Sequence, residues 1–278
     1  MHMNSIKVFV LLVIMTLFFL WIGHFLFGYV GIVLALFLMM IIDISAYFYS
    51  DKSALRFSGA REMESHELVR LVPLLKSVAD QAKIAPPKLY LIDSDASNVL
   101  AVGKNPNNAG IAVTAGLIQL LNDEEIKAIF AVEVSLIAAR DTFLGAVTAS
   151  VAGGFSNLAN LSVWRSLFGL KNSDDTKING AMMCVVGPIS AVIVRILISK
   201  NRIFRADQAA IRLLDNPLSL LSALEKINTE VGVVFLRVQA YPAIAHLFFI
   251  NPLSNKRLRT WFSTFPDIAE RISKIGIK

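Results

Sequence analysis

The chain has 278 residues, of which 55% are hydrophobic and 17% are charged, and its mean hydropathy is +0.60. Soluble domains average about 25% charged residues, so this composition indicates a membrane protein. The net charge of +6 comes from basic residues scattered along the chain, which argues against a nucleic-acid-binding surface. The single cysteine, Cys184, excludes an intrachain disulfide and a cysteine-rich zinc module, and there are only four histidines.

The first predicted element is a transmembrane helical hairpin over residues 1–50. Residues 8–42 contain no Asp, Glu, Lys or Arg. A bilayer core needs about 20 apolar residues, so this run fits two spans, with the turn expected between Gly23 and Gly31. The run is also much longer than the roughly 7–15 apolar residues of a signal peptide. Lys52, Arg56 and Arg61 follow the second span, and the positive-inside rule therefore predicts a cytoplasmic main body.

Residues 62–141 predict a soluble α+β region. Leucines and valines at helical spacing indicate a helix over residues 62–83, in which Pro73 is a candidate kink or break. Short strands are expected at residues 88–93, 98–103 and 111–114, where apolar runs alternate with turn residues. Asn122 followed by acidic residues then predicts the start of a helix that ends at about Asp141.

Two further apolar stretches follow, at residues 143–161 and 178–198. Each is long enough to span a bilayer, but their small residues also suit buried helix packing, and both alternatives stay open. Residues 200–278 predict helices with a basic and mixed-charge surface. The domain prediction is therefore a hairpin over residues 1–50 and one domain over residues 51–278, which the two apolar stretches interrupt.

The run AVEVSLIAARD, residues 131–141, places one carboxylate, Glu133, among apolar neighbours. In the H-E-x-x-H helix of zinc peptidases, two histidines four positions apart hold the metal, and the glutamate beside the first is the general base. Here the two histidine positions are Val132 and Leu136. Taken alone, such a glutamate is most often a side chain that pairs with an arginine or with a backbone donor.

Four separated motifs nevertheless resemble the HtpX family of membrane-bound M48 zinc metalloproteases, over nearly the whole chain. They are the N-terminal hairpin, the segment from KLYLID to AVEVSLIAARD, the segment NRIFRADQAAIRLLDNP, and the ending NPLSNKRLRTWFSTFPDIAERI. The resemblance implies an α+β membrane protein, in which a mainly helical, zincin-like domain with a small β-sheet follows the hairpin. It also implies the inner (cytoplasmic) membrane as the location, with several spans and the main domain facing the cytoplasm.

Carried over residue by residue, the resemblance implies a zinc site that has lost its ligands. The two histidine positions and the position of the third ligand, a glutamate, carry aliphatic side chains: Val132, Leu136 and Ile203. Three acidic positions are retained: Glu133, Asp141 and Asp207. The histidine of the family's S-T-H-P motif is Phe265. Aliphatic side chains cannot bind Zn²⁺, so no cofactor is expected, although the family binds one zinc ion.

Without a metal, Glu133 has no activated water to serve as general base. We expect this glutamate either to have a raised pKa or to pair with Arg202 or Arg205. The sequence therefore predicts a catalytically inactive HtpX-like protein, a pseudoprotease. The open alternative is an active membrane zinc endopeptidase that degrades misfolded membrane proteins and takes its ligands from elsewhere in a chain with four dispersed histidines.

In the resembled family, an extended peptide adds to an edge strand of the sheet through backbone hydrogen bonds, which need no metal. The residues implied for this substrate-binding edge are Asn98, Val99, Leu100 and Ala101. We therefore expect the lipid bilayer and polypeptide or membrane-protein partners, in membrane protein quality control, and no nucleic acid. An equally weighted alternative is that the cleft has closed and that the protein only packs with partners in the membrane.

Overall fold

The computed structural model describes residues 3–158, 198–230, 242–250 and 266–275. Its helices are α1 (Met3–Ser58), α2 (Ser65–Gln81), α3 (Ala115–Leu120), α4 (Asp123–Ala138), α5 (Asp141–Leu158), α6 (Asn201–Ile211), α7 (Leu218–Glu230) and α8 (Ile268–Ile275). Its strands are β1 (Ala60–Glu62), β2 (Lys88–Ile92), β3 (Val99–Asn105) and β4 (Asn108–Thr114), and a 3-10 helix covers Pro242–Leu247. This is the mainly helical α+β architecture that the sequence predicts. Phe265 and residues 159–161 and 178–197 lie outside the described residues.

Helix α1 is a hairpin with two antiparallel arms. Gly28 interrupts the helix with φ 61° and ψ −139°, a conformation that glycine adopts without a steric penalty. Gly23 of the first arm lies directly against Gly31 of the second, so closely that a Cβ at either position would collide with the backbone of the other. The hydroxyl of Thr16 donates a hydrogen bond of 2.9 Å to Asp43 across the hairpin. The predicted turn between Gly23 and Gly31 is confirmed.

The hairpin presents an apolar surface to its surroundings. Large apolar side chains are widely exposed on both arms, as at Phe25 (80%) and Val33 (67%). The stretch Val8–Phe25 is long and apolar enough to cross a bilayer, and the second arm carries a shorter apolar stretch, Phe27–Ile41. Exposed apolar area of this extent is unfavourable in water and favourable in lipid, which fits a membrane protein.

The four strands form one mixed sheet in the order β1-β2-β4-β3. Strands β2 and β4 are parallel, whereas β1 pairs with β2 and β3 pairs with β4 in antiparallel orientation. The three strands predicted from the sequence are β2, β3 and β4. Strand β1 is not predicted, because three residues are too few to show an alternating pattern. Strand β3 lies at one edge of the sheet, where the prediction for residues 98–101 places it.

Helix α4 runs through the centre of the core and packs against α2, α6, α7 and β3. Its start is the predicted one: the Asn122 side chain accepts a hydrogen bond from the Glu125 N–H, and the Glu125 carboxylate accepts one from the Asn122 N–H, both 2.9 Å. Its predicted end is wrong. The helix ends at Ala138, because Arg140 adopts a left-handed φ of 58°, and Asp141 begins helix α5.

Pro73 does not break the first helix of the body. It lies inside α2, which continues to Gln81. The start of the stretch 143–161 falls in α5, which packs against α1, β3 and the 3-10 helix. Residues 141–149 of α5 are all buried within the protein. Whether this stretch or residues 178–198 span the bilayer stays a prediction.

Candidate functional site

Helices α4, α6 and α8 bring the residues of the predicted centre together. Helix α4 supplies Val132, Glu133 and Leu136, and α6 packs against it and supplies Ile203 and Asp207. Two carboxylates from different helices therefore lie close enough for the charge of Asp207 to act on Glu133. The residues of α4 and α6 are thus about 70 positions apart in the sequence but lie together in the structure. The resemblance to the family, which assigns them to one site, requires this proximity.

The three positions implied for zinc ligation are packed with hydrocarbon. The exposed fractions of Val132, Leu136 and Ile203 are 0%, 6% and 2%, and all three belong to the large hydrophobic cluster around α4. None of these side chains carries an atom that donates electrons to a metal. In the described ranges, no group of three His, Cys, Asp or Glu side chains is arranged to hold a metal ion.

Glu133 is buried at 1% exposure, and neither of its carboxylate oxygens has a hydrogen-bond partner among the described residues. Burial raises the pKa of Glu133 to about 8. The nearby charges of Arg271 and Arg202 oppose this rise, and the charge of Asp207 adds to it. Of the two alternatives for this glutamate, the structure therefore gives the raised pKa. Arg202 makes no hydrogen bond to it, and Arg205 is exposed.

Both carboxylate oxygens of Asp207, the second retained acid of the centre, accept hydrogen bonds from one arginine. Arg271 of α8 donates to its carboxylate through Nη2 at 2.6 Å and through Nε at 2.9 Å, and both side chains are almost fully buried. The same guanidinium lies 4.0 Å above the ring of Phe249, and its Nη1 donates to the Phe249 carbonyl at 3.4 Å. This bidentate geometry is the strongest arrangement available to a buried carboxylate.

Arg202 and His246 form a second buried polar group beside the centre. The Nη2 of Arg202 donates to the backbone carbonyl of His246, and the Nε2 of His246 donates to the carbonyl of Gly145 at 2.9 Å. Burial lowers the pKa of Arg202, against the opposing charges of Asp141 and Glu133. His246 thus uses a ring nitrogen to hold the 3-10 helix against α5, which is a structural role.

The residues of the predicted substrate edge are also buried. Val99, Leu100 and Ala101 have exposed fractions of 0%, 0% and 2%, and Asn98 is 4% exposed. Residues 248–250 lie along the outer side of β3, with an antiparallel bridge between Leu100 and Phe248. Sequence reasoning missed this contact and the role of Arg271. The ending DIAERI does contain Arg271, but nothing in its spacing points to Asp207.

The structure contains a central helix that carries a buried glutamate, a partner helix packed against it, a small mixed sheet with one edge beside the central helix, and an apolar hairpin. These are the elements expected of the class that the sequence resembles, the membrane-bound metallopeptidases. Comparison with known proteins agrees with this class. Residues 65–276 match Peptidase family M48. The chain belongs to this family of zinc metallopeptidases, whose HtpX-type members share nearly its whole length.

Two relatives illustrate this similarity. Protease HtpX of Legionella pneumophila (strain Corby) is 37% identical over 276 residues, which are 98% of each chain. A Protease HtpX homolog of Desulfatibacillum aliphaticivorans is 35% identical, over 98% of this chain and 89% of its own. The crystal structure of S. mikatae Ste24p gives a TM-score of 0.43 at 17% identity, and the alignment covers 98% of this chain and 65% of that one.

The residues at the family's metal positions do not fit a zinc ion. A zinc site needs at least three N, O or S donors, and Val132, Leu136 and Ile203 fill the corresponding space with methyl and methylene groups in a close-packed cluster. Glu133 is the one retained acid of the centre with neither oxygen hydrogen-bonded in the described part of the chain. The residues at these three positions therefore supply no ligand for a metal-dependent step.

Proposed function

We propose that the chain is a catalytically inactive, membrane-bound member of the HtpX-type M48 proteins, a pseudoprotease that binds polypeptides in membrane protein quality control. The observation that carries this proposal is the packing of Val132, Leu136 and Ile203 into one buried hydrophobic cluster. Replacing buried metal ligands by well-packed apolar side chains removes the ion without leaving unpaired polar groups, and such replacements are often neutral or stabilising.

The proposed location is the inner membrane, with both arms of α1 spanning the bilayer and the main domain in the cytoplasm. Support comes from the apolar stretches Val8–Phe25 and Phe27–Ile41 and from the basic residues Lys52 and Arg56 beyond the second arm. The proposed partners are the lipid bilayer and polypeptides, without a nucleic acid. The basic residues of the chain are scattered and form no Lys/Arg run.

A second function, that of an active zinc endopeptidase, is favoured by the name of the relatives, Protease HtpX. It requires a set of ligands other than the residues at the family positions. Zinc content distinguishes the two functions. We expect purified full-length protein to contain no stoichiometric zinc and to leave casein uncut. Stoichiometric zinc together with casein cleavage that Glu133→Gln abolishes would overturn the proposal.

Restoring the ligands tests the scaffold directly. The triple variant Val132→His, Leu136→His and Ile203→Glu places two imidazoles and a carboxylate at the three family positions, beside the retained Glu133. We expect this variant to bind one zinc ion per chain, measured by inductively coupled plasma mass spectrometry after dialysis. The matched control carries Ile203→Gln in place of Ile203→Glu, which keeps the size of the side chain and removes its anionic donor. Equal zinc in the two variants would contradict the assignment of Ile203.

A further inference from the structure

The outer edge of β3 is occupied by the chain itself. Residues 248–250, which we call the plug segment, run antiparallel to the start of β3, where Leu100 bridges with Phe248. The Phe249 N–H donates a hydrogen bond of 2.7 Å to the Val99 carbonyl. An edge strand presents unpaired backbone groups that accept an added strand. The plug segment takes the place that an extended peptide would take.

Asn98 holds the plug segment by its backbone. Its side-chain amide donates to the Ile250 carbonyl at 2.9 Å, and its Oδ1 accepts hydrogen bonds from the N–H groups of Ile250, at 3.2 Å, and of Val99, at 2.9 Å. These contacts involve only the peptide groups of the plug segment. Any residue except proline at that position offers the same donor and acceptor. Asn98 is therefore a clamp that recognises an extended backbone and not a particular side chain.

The side chains of the plug segment alternate between the two faces of the sheet, as in a strand. Phe248 packs in the cluster that contains Leu100 and Val102, and Phe249 packs in the cluster around α4 with Val99. Both phenylalanines are at most 2% exposed. Beside β3, one position on each face of the sheet thus accommodates a large apolar side chain.

The far end of the β3 edge is covered as well. The hydroxyl of Thr142, from α5, donates a hydrogen bond of 3.0 Å to the carbonyl of Gly103. Asp51, in the last part of α1, lies beside the N–H groups of Gly103 and Lys104. Burial raises the pKa of its carboxylate to about 6, and the charge of Lys104 and the two N–H groups oppose this rise. In this conformation, the chain's own groups therefore cover the edge at both ends.

We propose that the plug segment is an intramolecular substitute for a peptide ligand, and that an extended polypeptide with successive bulky apolar side chains binds β3 by displacing it. This inference rests on the proposed function, in which the scaffold binds polypeptides. The apparent affinity for such a polypeptide is the intrinsic affinity multiplied by the fraction of molecules in which the plug segment is displaced. Weakening the plug segment must therefore strengthen peptide binding.

A reversible cross-link tests this competition within one protein. The variant Leu100→Cys/Phe248→Cys is made in a Cys184→Ser background, so that no other cysteine remains. Residues in such an antiparallel bridge have Cα atoms about 4.5–5.5 Å apart, which suits a disulfide. The probe is a fluorescein-labelled peptide with the sequence AHLFFI, residues 245–250, and binding to full-length protein in nanodiscs is followed by fluorescence anisotropy.

We expect the reduced double variant to bind the probe at least about tenfold more tightly than the oxidised form. Failure of the disulfide to form would contradict the observed pairing of Leu100 with Phe248. Equal binding by the oxidised and reduced forms would overturn the proposal.

A backbone variant gives an independent answer. Phe249→Pro removes the N–H that donates to Val99, so the plug segment loses its central hydrogen bond to β3. We expect its apparent Kd for the probe to fall by about tenfold relative to the unmodified chain. A folded Phe249→Pro protein with unchanged probe affinity would count against the proposal. If this variant does not fold, the cross-linked pair decides alone.

These results separate the inference from the function on which it rests. Zinc content of the same preparations reports on catalytic competence, whereas probe binding reports on the β3 edge. If the protein contains no zinc and its probe affinity does not depend on the cross-link, the pseudoprotease proposal stands and the proposed displacement of the plug segment is wrong. A scrambled apolar peptide of the same composition is the control for non-specific adsorption to the membrane hairpin.

Discussion

Glu133 and Asp207 are two acids of one buried centre, yet they have opposite surroundings. Asp207 receives two hydrogen bonds from Arg271, whereas both oxygens of Glu133 lack a hydrogen-bond partner among the described residues. Both side chains are 1% exposed. A charge is tolerated in a protein interior when it is paired, and otherwise the group tends to become neutral. The difference indicates that Asp207 supports the fold through its ion pair, whereas Glu133 is a buried acid whose oxygens make no hydrogen bond within the described residues.

The largest effect is expected from breaking the satisfied pair. Asp207→Asn removes the negative charge that Arg271 faces and leaves a buried guanidinium without its counter-ion. We expect the free energy of unfolding to fall by about 3–5 kcal/mol, measured by chemical denaturation in detergent micelles.

The control for this change is the double variant Asp207→Leu/Arg271→Met. It removes both charges and should recover part of the lost stability. A single variant as stable as the unmodified chain would show that the ion pair has no structural role.

The next effect concerns the unsatisfied acid and depends on pH. The pKa of Glu133 is raised from 4.5 to about 8 in the folded protein, so the folded state keeps a proton that the unfolded state releases between these values. The contribution of Glu133 to stability is therefore greatest below pH 4.5 and is lost as pH rises toward 8, by up to about 1.4 kcal/mol per pH unit.

Glu133→Gln removes this dependence, because glutamine does not titrate. We expect the variant to match the unmodified chain near pH 4.5 and to be more stable by a few kcal/mol at pH 8. Thermal unfolding across this pH range measures both quantities. The neighbouring charges of Arg271, Arg202 and Asp207 are the same in both proteins, so parallel pH profiles would exclude Glu133 as the titrating group.

The smallest effect tests a neutral pair in the same interior. Thr142→Val keeps the shape of the side chain and removes the hydroxyl that donates to the Gly103 carbonyl. We expect a loss of about 1 kcal/mol, the usual value for one uncharged hydrogen bond, in the same denaturation experiment. If Thr142→Val lowered the free energy of unfolding as much as Asp207→Asn, charge would not explain why the ion pair contributes more to stability than the uncharged hydrogen bond.

The sequence predicted much of the fold because its signals are local. The apolar run of residues 8–42, the alternating stretches of β2 to β4 and the cap at Asn122 each depend on neighbouring residues. The predicted end of α4 was three residues too late. A left-handed residue after a helix is usually a glycine, and here it is Arg140, so the sequence carries no signal for the helix end.

The candidate site was predictable only in part. Sequence motifs locate Glu133, Asp207 and the three aliphatic residues at the family's ligand positions, because the spacing within each motif can be read from the sequence. The partner of Asp207 lies 64 positions away, and the contact between Asn98 and Ile250 joins residues 152 positions apart. A short segment that adds to a strand at such a distance has no periodicity of its own, so only the folded structure shows it.

The second arm of α1 continues as helix from its apolar stretch, which ends at Ile41, to Ser58. At 1.5 Å per residue, this extension is a rod of roughly 25 Å. The rod ends at the start of the sheet, with Asp51 beside the last residues of β3. Because this extension is continuous helix and contacts both β1 and β3, it holds the sheet in a fixed position relative to the apolar stretch of the hairpin.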